Sequence, residues 1–286
     1  MKEIKRGIEQ AFLSVPESFR DWLTIRVTEY GLQFGAGHSF RTNKGRWWGR
    51  KIMDNWLYGA PTPLSEFAEG LFDGFNFNYE GIENLPTGGA EIIVVNYPAT
   101  GPLRGNWFKF LTNLAIAQRR GFTGNFEARW VQKEVSEKLI FQNTPVGIQR
   151  RRLARMINKS CGTILVGPTV SGRENIKAVL EMRKHIVSGG VLIICPEGKD
   201  RSVLGRGKME AGDLLLFLTK KTGVQIRPVA AWSEDEDLNI RFGETINLNF
   251  SSITGQKMAD LAMVSVARLM PQEKMGIYKK LAVTRG

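Results

Sequence analysis

Val191-Leu192-Ile193-Ile194-Cys195-Pro196-Glu197-Gly198-Lys199-Asp200-Arg201-Ser202 is the stretch on which the fold turns. Its apolar opening suits a short strand buried on both faces. Pro196 and Gly198 end that run with turn chemistry. In open α/β sheets, ligands bind beyond the carboxyl ends of the strands. Gly198 lets backbone turn tightly or approach a ligand closely. Lys199 and Arg201 offer charge-assisted donors to a phosphate. A lone Pro-Glu-Gly is more often a solvated turn, so its surroundings decide its meaning.

Working outward, strand-like and helix-like segments alternate. Phe75 to Tyr79 alternates apolar and polar, and Ile92-Ile93-Val94-Val95 is a short β-branched run. Helices are predicted over about 103–119, 147–159, 173–188 and 208–221. Strands are predicted at Ala128 to Gln132, Thr163 to Val166, Val191 to Ile194 and Gln225 to Ala231. The 173–188 helix carries Ile176, Val179, Leu180, Ile186 and Val187 as its apolar residues, with His185 opposite them and facing solvent. Ile240 to Phe242 and Ile246 to Phe250 read as a closing pair of strands, and a last helix runs over about 255–270, ending before Pro271. Alternation of this kind implies an α/β fold: a mixed, mostly parallel sheet covered by helices on both faces. Residues 1–75 form an N-terminal amphipathic helical region ahead of the 76–286 α/β domain. Ile4, Ile8 and Phe12 recur there at helical spacing, Phe19 to Tyr30 suggests a second helix, Arg46 to Lys51 opens a third, and a fourth spans about 63–73.

Lys and Arg number 40 against 28 Asp and Glu, a formal net charge of +12. That balance draws polyanions, either nucleic acid or an anionic membrane surface. No nucleic-acid-binding signature accompanies it, so nucleic acid is not expected as a partner. Arg46-Trp47-Trp48-Gly49-Arg50-Lys51 pairs tryptophan with cations, as a lipid-headgroup interface does, and equally suits a helix packed on the domain with a solvated basic edge. Cys161 and Cys195 sit in or beside apolar runs and read as small core residues. No C-x-x-C occurs, and neither a metal site nor a disulfide framework is expected. A reducing, cytoplasmic compartment follows, and no stretch reaches the roughly 18 apolar residues of a spanning helix. Membrane contact is therefore expected to be peripheral.

Pro196-Glu197-Gly198 with Arg201-Ser202 resembles the third motif of the glycerol-phosphate and lysophosphatidate acyltransferases. Val224-Gln225-Ile226-Arg227-Pro228-Val229 resembles that family's fourth motif, and Glu80-Gly81-Ile82-Glu83-Asn84-Leu85-Pro86 the turn leading to its first. Leu269-Met270-Pro271-Gln272 with Gly276-Ile277-Tyr278 is similar to its closing segment. The resemblance covers about residues 76–280 and is most specific over 172–231. It implies an acyl thioester donor, acyl-CoA or acyl carrier protein, and a phosphorylated glycerolipid-type acceptor. No other cofactor is implied. Glu197, Gly198, Lys199, Arg201, Lys133 and Arg173 are the positions it points to for the substrate phosphate.

The family's first motif pairs a His, the general base, with an Asp that orients it. This chain reads Asn96-Tyr97-Pro98-Ala99-Thr100-Gly101-Pro102, with Tyr97 in the place of the His and Pro102 in that of the Asp. A Tyr of pKa about 10 is phenolate roughly once in a thousand at pH 7, although it can donate to an oxyanion. Proline offers no acceptor. Tyr97 and Thr100 are the catalytic candidates at this motif, with Glu197 and Asp200 as further carboxylates. Neither His38, in a breaker segment, nor His185 is placed to act as base. Arg201 is displaced by one residue from the family spacing, through Lys199 and Asp200. Two functions remain: acyl transfer by positioning and electrostatics, or a non-catalytic protein that binds phospholipid, acyl chain or acyl carrier.

Overall fold

Seven strands form a single sheet in the computed structural model, which describes residues 51, 55, 60–62, 64–71, 75–99, 107–121, 128–133, 158–159, 161–167, 173–199, 201–247 and 253–284. In chain order the elements are α1 (Leu64–Leu71), β1 (Asn76–Glu80), β2 (Glu91–Val95), α2 (Trp107–Arg120), β3 (Ala128–Lys133), β4 (Ile164–Val166) and α3 (Arg173–Val187). There follow β5 (Val191–Ile194), α4 (Met209–Thr222), β6 (Gln225–Glu234), β7 (Asp237–Phe242), α5 (Gly255–Ala267) and α6 (Lys279–Val283). The sheet order is β1-β7-β6-β2-β5-β3-β4. Every neighbouring pair is parallel except β6 with β7. The mixed, mostly parallel α/β fold read from the alternation is the one observed. The helices expected before residue 51 and over most of 147–159 lie outside the described residues.

The period of two along the strands sorts the core into two layers. Ile93 and Val95, with Ile193, Trp130 and Val229, face α2 through Phe108, Leu111 and Ala115, and Leu64 and Ala68 of α1 join that layer. Ile92, Val94, Leu192 and Ile226 face the other way, onto Met182 of α3, Leu215 and Leu218 of α4 and Met258 of α5. Trp232 and Ala230 extend this second layer toward Met263, Met270 and Tyr278. Helices α4 and α5 meet at Gly212, where a Cβ would run into the Gly255 carbonyl.

Three sequence expectations need correction. Only Ile186 of the five apolar residues assigned to α3 is buried. Ile176, Leu180 and Val187 are 62%, 57% and 70% exposed, and the packed face consists of Ala178, Met182 and Ile186. Ala178, Met182 and Ile186 recur at four-residue spacing, a continuous face of the helix, and that is the face the sheet covers. His185 also turns inward. Its Nε2 donates to the Val191 carbonyl at 2.9 Å, and burial, the largest influence, holds its pKa below the ordinary histidine value. Finally, the closing antiparallel pair is β6 with β7, joined through Asp235 at φ 49°. Both edges of β7 are taken, by β6 and β1, and 243–247 runs on without forming a strand, tied to β6 by the Gly243 N–H, which donates to the Pro228 carbonyl at 2.9 Å, and the Ile246 N–H, which donates to the Ile226 carbonyl at 2.8 Å; the rest of the strand expected at Ile246 to Phe250, residues 248–250, lies outside the described residues.

Candidate functional site

Strands β2 and β5 lie side by side at the centre of the sheet. The chain leaving β2 goes to α2 on one face, and the chain leaving β5 goes to α4 on the other. Because the two chains depart to opposite faces, the carboxyl ends of this pair form a switch point of the sheet. Such switch points are where open α/β sheets place ligands.

Backbone bonds lock the loops after β2 and β5 to each other. The Arg201 N–H donates to the Tyr97 carbonyl at 3.0 Å, and the Ala99 N–H to the Arg201 carbonyl at 2.9 Å, a parallel bridge of Pro98 with Arg201. Asn96 is buried and pairs twice with Ala231 of β6: Nδ2 donates to its carbonyl at 2.7 Å and Oδ1 accepts its N–H at 2.8 Å. Glu197, 3% exposed, completes the frame. Its Oε2 accepts the Tyr97 N–H at 3.0 Å and its Oε1 the Gly205 N–H at 2.6 Å. One carboxyl group thus ties the loop after β2 to both ends of the loop after β5. Burial pushes that carboxyl up to about 7, against the pull of the two N–H bonds and the Arg201 charge.

The side chains divide between two sides of the frame. Asn96, Pro98, Glu197, Arg201, Trp232 and Lys274 line a cleft on the side of the second layer. Arg201, which lines it, is exposed, as are Lys199 and Lys208 on the same loop. Gly198 adopts φ 68°, and a Cβ there would lie 2.6 Å from Lys208 Nζ, so the lysine lies over the turn and needs a glycine beneath it. The closing segment supports the same loop: the Leu204 N–H donates to the Lys274 carbonyl at 2.9 Å, and the Tyr278 hydroxyl accepts the Gly207 N–H at 3.0 Å while donating to Asp260 at 2.7 Å.

Tyr97 turns to the opposite side. Its ring packs on Phe108 with centroids 5.4 Å apart, within the α2 layer. Lys109, half-buried in the first turn of α2, lies there too. Its Nζ donates to Gln132 Oε1 of β3 at 2.8 Å and stands over the rings of Tyr97 (5.7 Å) and Trp130 (5.5 Å). Burial brings the amine down to about 8, with a smaller opposing influence from Cys195. The Cys195 thiol is pushed up to about 12, again chiefly by burial. Neither cysteine is in a disulfide.

Of the residues singled out in sequence, Tyr97, Glu197, Gly198 and Arg201 are brought together by the frame, and Lys199, next in the chain to Gly198, is exposed. Thr100, Pro102 and Asp200 lie outside the described residues. Lys133 ends β3 and Arg173 opens α3, but their side chains are likewise outside what is described. Sequence reasoning passed over Asn96, Lys109 and Lys208. The signal for Lys109 was a single cation inside Trp107-Phe108-Lys109-Phe110-Leu111. For Lys208 it was a cation directly ahead of a helix, at the point where the loop returns to the Pro196 carbonyl.

No family model matches the sequence, and no curated protein matches it. Among solved structures, the 1-acyl-sn-glycerophosphate (LPA) acyltransferase PlsC from Thermotoga maritima is similar to this chain, with a TM-score of 0.45 and 17% sequence identity over 87% of this chain and 94% of that one. The α/β class rests on the sheet described above. Among the described residues no helix is long and apolar enough to cross a membrane.

Proposed function

We propose that the chain is an acyltransferase-type enzyme that moves an acyl group from a thioester, acyl-CoA or acyl carrier protein, to a hydroxyl of a phosphorylated glycerolipid-type acceptor at a membrane surface. The observation that carries this is the Glu197 frame: one buried carboxyl fixes the loops after β2 and β5 across the switch point, where the first- and third-motif resemblances converge. In this arrangement Glu197 positions the loops. With both oxygens turned onto backbone N–H groups it does not face an anion, and the phosphate falls to Arg201, Lys199 and Lys208, with Gly198 shaping the turn beneath. Lys133 and Arg173 are further phosphate contacts at the ends of β3 and the start of α3. Tyr97 replaces the family's His as a positioning group, with Thr100 on the same loop.

A second function draws support from the Tyr97 ring, which packs on Phe108 instead of entering the cleft. The same frame would then bind a phospholipid or acyl chain without turning it over. The two are separated by incubating the purified chain with a radiolabelled acyl thioester and lysophosphatidate in vesicles containing anionic lipid. Ester product appearing in step with free thiol supports transfer. Saturable retention of lysophosphatidate with no thiol released supports binding alone. A net charge of +12 predicts that vesicle association weakens as salt rises.

A further inference from the structure

We propose that an exposed apolar face bordering the cleft, made by Val203, Ile277 and Leu281, docks on an anionic phospholipid leaflet and sets the mouth of the cleft against it; this rests on the chain acting at a membrane surface. The three side chains are 46%, 62% and 57% exposed. They come from two segments that are fastened together. The Leu204 N–H donates to the Lys274 carbonyl at 2.9 Å, and the Ile277 N–H donates to the Leu204 carbonyl at 3.4 Å. Ile277 therefore sits beside Leu204, the neighbour of Val203. From Gly276 to Val283 the chain is helical, first a 3₁₀ turn and then α6, so Ile277 and Leu281, four apart, share one face. Tyr278 and Ala282 take the inner face and are buried in the layer of Met263 and Met270. A helix already anchored through one pair of side chains thus turns a second, apolar pair outward.

Val203 belongs to both surfaces. It is exposed with the face, and it lines the cleft together with Leu204, Met270 and Trp232. An apolar track therefore leads from the outer face to buried Met270 and Trp232. Such a track suits an acceptor that keeps its acyl chain out of water while its phosphate reaches Arg201.

The charges around the face choose its partner. Lys279 and Lys280 are exposed on α6, Lys274 lines the cleft, and Lys199, Arg201 and Lys208 are exposed on the loop that carries Val203. Among the described residues of 198–208 and 273–284, Glu273 is the one acidic side chain. A second copy of the chain docked face to face would set these cations against one another. An anionic leaflet neutralises them, and apolar side chains flanked by lysines are what an interfacial helix presents to it.

Sedimentation of the full chain with vesicles of phosphatidylcholine, with and without phosphatidylglycerol, tests this. Ile277→Ser with Leu281→Ser should lower the partition coefficient on the anionic vesicles by about tenfold or more. Lys279→Glu with Lys280→Glu should lower it by about as much, on the anionic vesicles alone. Ile176→Ser with Leu180→Ser removes an equally exposed apolar pair that does not line the cleft, and should leave partitioning unchanged. Circular dichroism confirms that each variant is folded. An environment-sensitive fluorophore on Ile277→Cys should shift to the blue when anionic vesicles are added, and one on Ile176→Cys should not, with labelled wild type as the blank for Cys161 and Cys195. No vesicle binding by wild type, equal binding by the Ile277/Leu281 variant, or a loss confined to the Ile176/Leu180 variant would each overturn the docking face. A wild-type dimer that the Ile277/Leu281 variant dissolves, seen by sedimentation velocity, would also overturn it by giving the face to a second copy. Transfer to a short-chain, water-soluble lysophosphatidate needs no vesicle and should be equal in wild type and the Ile277/Leu281 variant. Its loss in the variant alone would overturn the docking role, because the face would then be acting on the site itself. Its absence in both would overturn acyl transfer and leave the docking face standing.

Discussion

Glu197 is asked to do two opposed things: to accept two backbone N–H bonds, which favour its ionised form, and to sit almost wholly out of water, which favours its neutral form. Burial wins, and its carboxyl is raised to about 7. For an acid the sign is definite. Between its unfolded pKa of about 4.3 and its folded value of about 7 the native state holds more protons than the unfolded one, so its contribution to stability declines as pH rises through that window and levels off above it. Glu197→Gln should remove that part of the slope, which thermal melts of both proteins from pH 4 to 8 would detect. Glu197→Ala should cost about 2 kcal/mol or more by leaving the Tyr97 and Gly205 N–H groups without their acceptor. Gly198→Ala should also destabilise, by about 1 kcal/mol or more, because φ 68° is disfavoured for L-residues and the methyl would displace Lys208. Chemical denaturation reads both. Glu197 was visible in sequence as part of a motif. That both its oxygens turn onto backbone was not, because the partners, Tyr97 and Gly205, are fixed only by the packing of distant loops.

At the level of elements, the strands were the most legible, since β-branched runs bounded by Gly and Pro have few alternative structures. Helix α3 was located correctly but rotated wrongly. Ile176, Leu180 and Val187 outweigh Ala178 and Met182 in hydrophobicity, and amphipathic pattern alone favours the larger set. Contact with the sheet favours the other face, where Ala178, Met182 and Ile186 sit close to Leu192 and Ile164. The two sets should therefore respond very differently to substitution. Leu180→Ser and Ile176→Ser are expected to change stability by no more than about 0.5 kcal/mol, while Met182→Ala should cost about 2–4 kcal/mol by opening a cavity between α3 and the sheet. Urea denaturation of the three variants checks this. Lys109 escaped notice for a related reason: its helix reads as uniformly apolar over its first turns, and only the meeting of β2, β3 and β5 shows what its amine stands next to.

Across the whole molecule, the sheet carries polar fastenings at both ends of its central strands. At the carboxyl end are the Glu197 frame and the Asn96–Ala231 pair. At the amino end, Glu91 of β2 is buried against Arg227 of β6, with Oε1 2.8 Å from two guanidinium nitrogens, and Arg227 also donates to the Gly243 carbonyl at 2.7 Å. Glu91→Ala would strand the guanidinium in the core and should cost about 3–5 kcal/mol, read as a lowered denaturation midpoint. With both ends fixed, the loops after β2 and β5 are held in one arrangement beside the cleft lined by Asn96, Glu197, Arg201 and Trp232. The most direct test is simultaneous measurement of thiol release and ester formation from an acyl thioester and lysophosphatidate, in wild type, Arg201→Ala and Glu197→Ala, each confirmed folded by circular dichroism. Transfer by the wild type, with Arg201→Ala raising KM for the phosphorylated acceptor and Glu197→Ala lowering kcat, is expected. Wild-type protein that releases no thiol and forms no ester, or variants that match it in both parameters, would contradict the assignment of this cleft to acyl transfer.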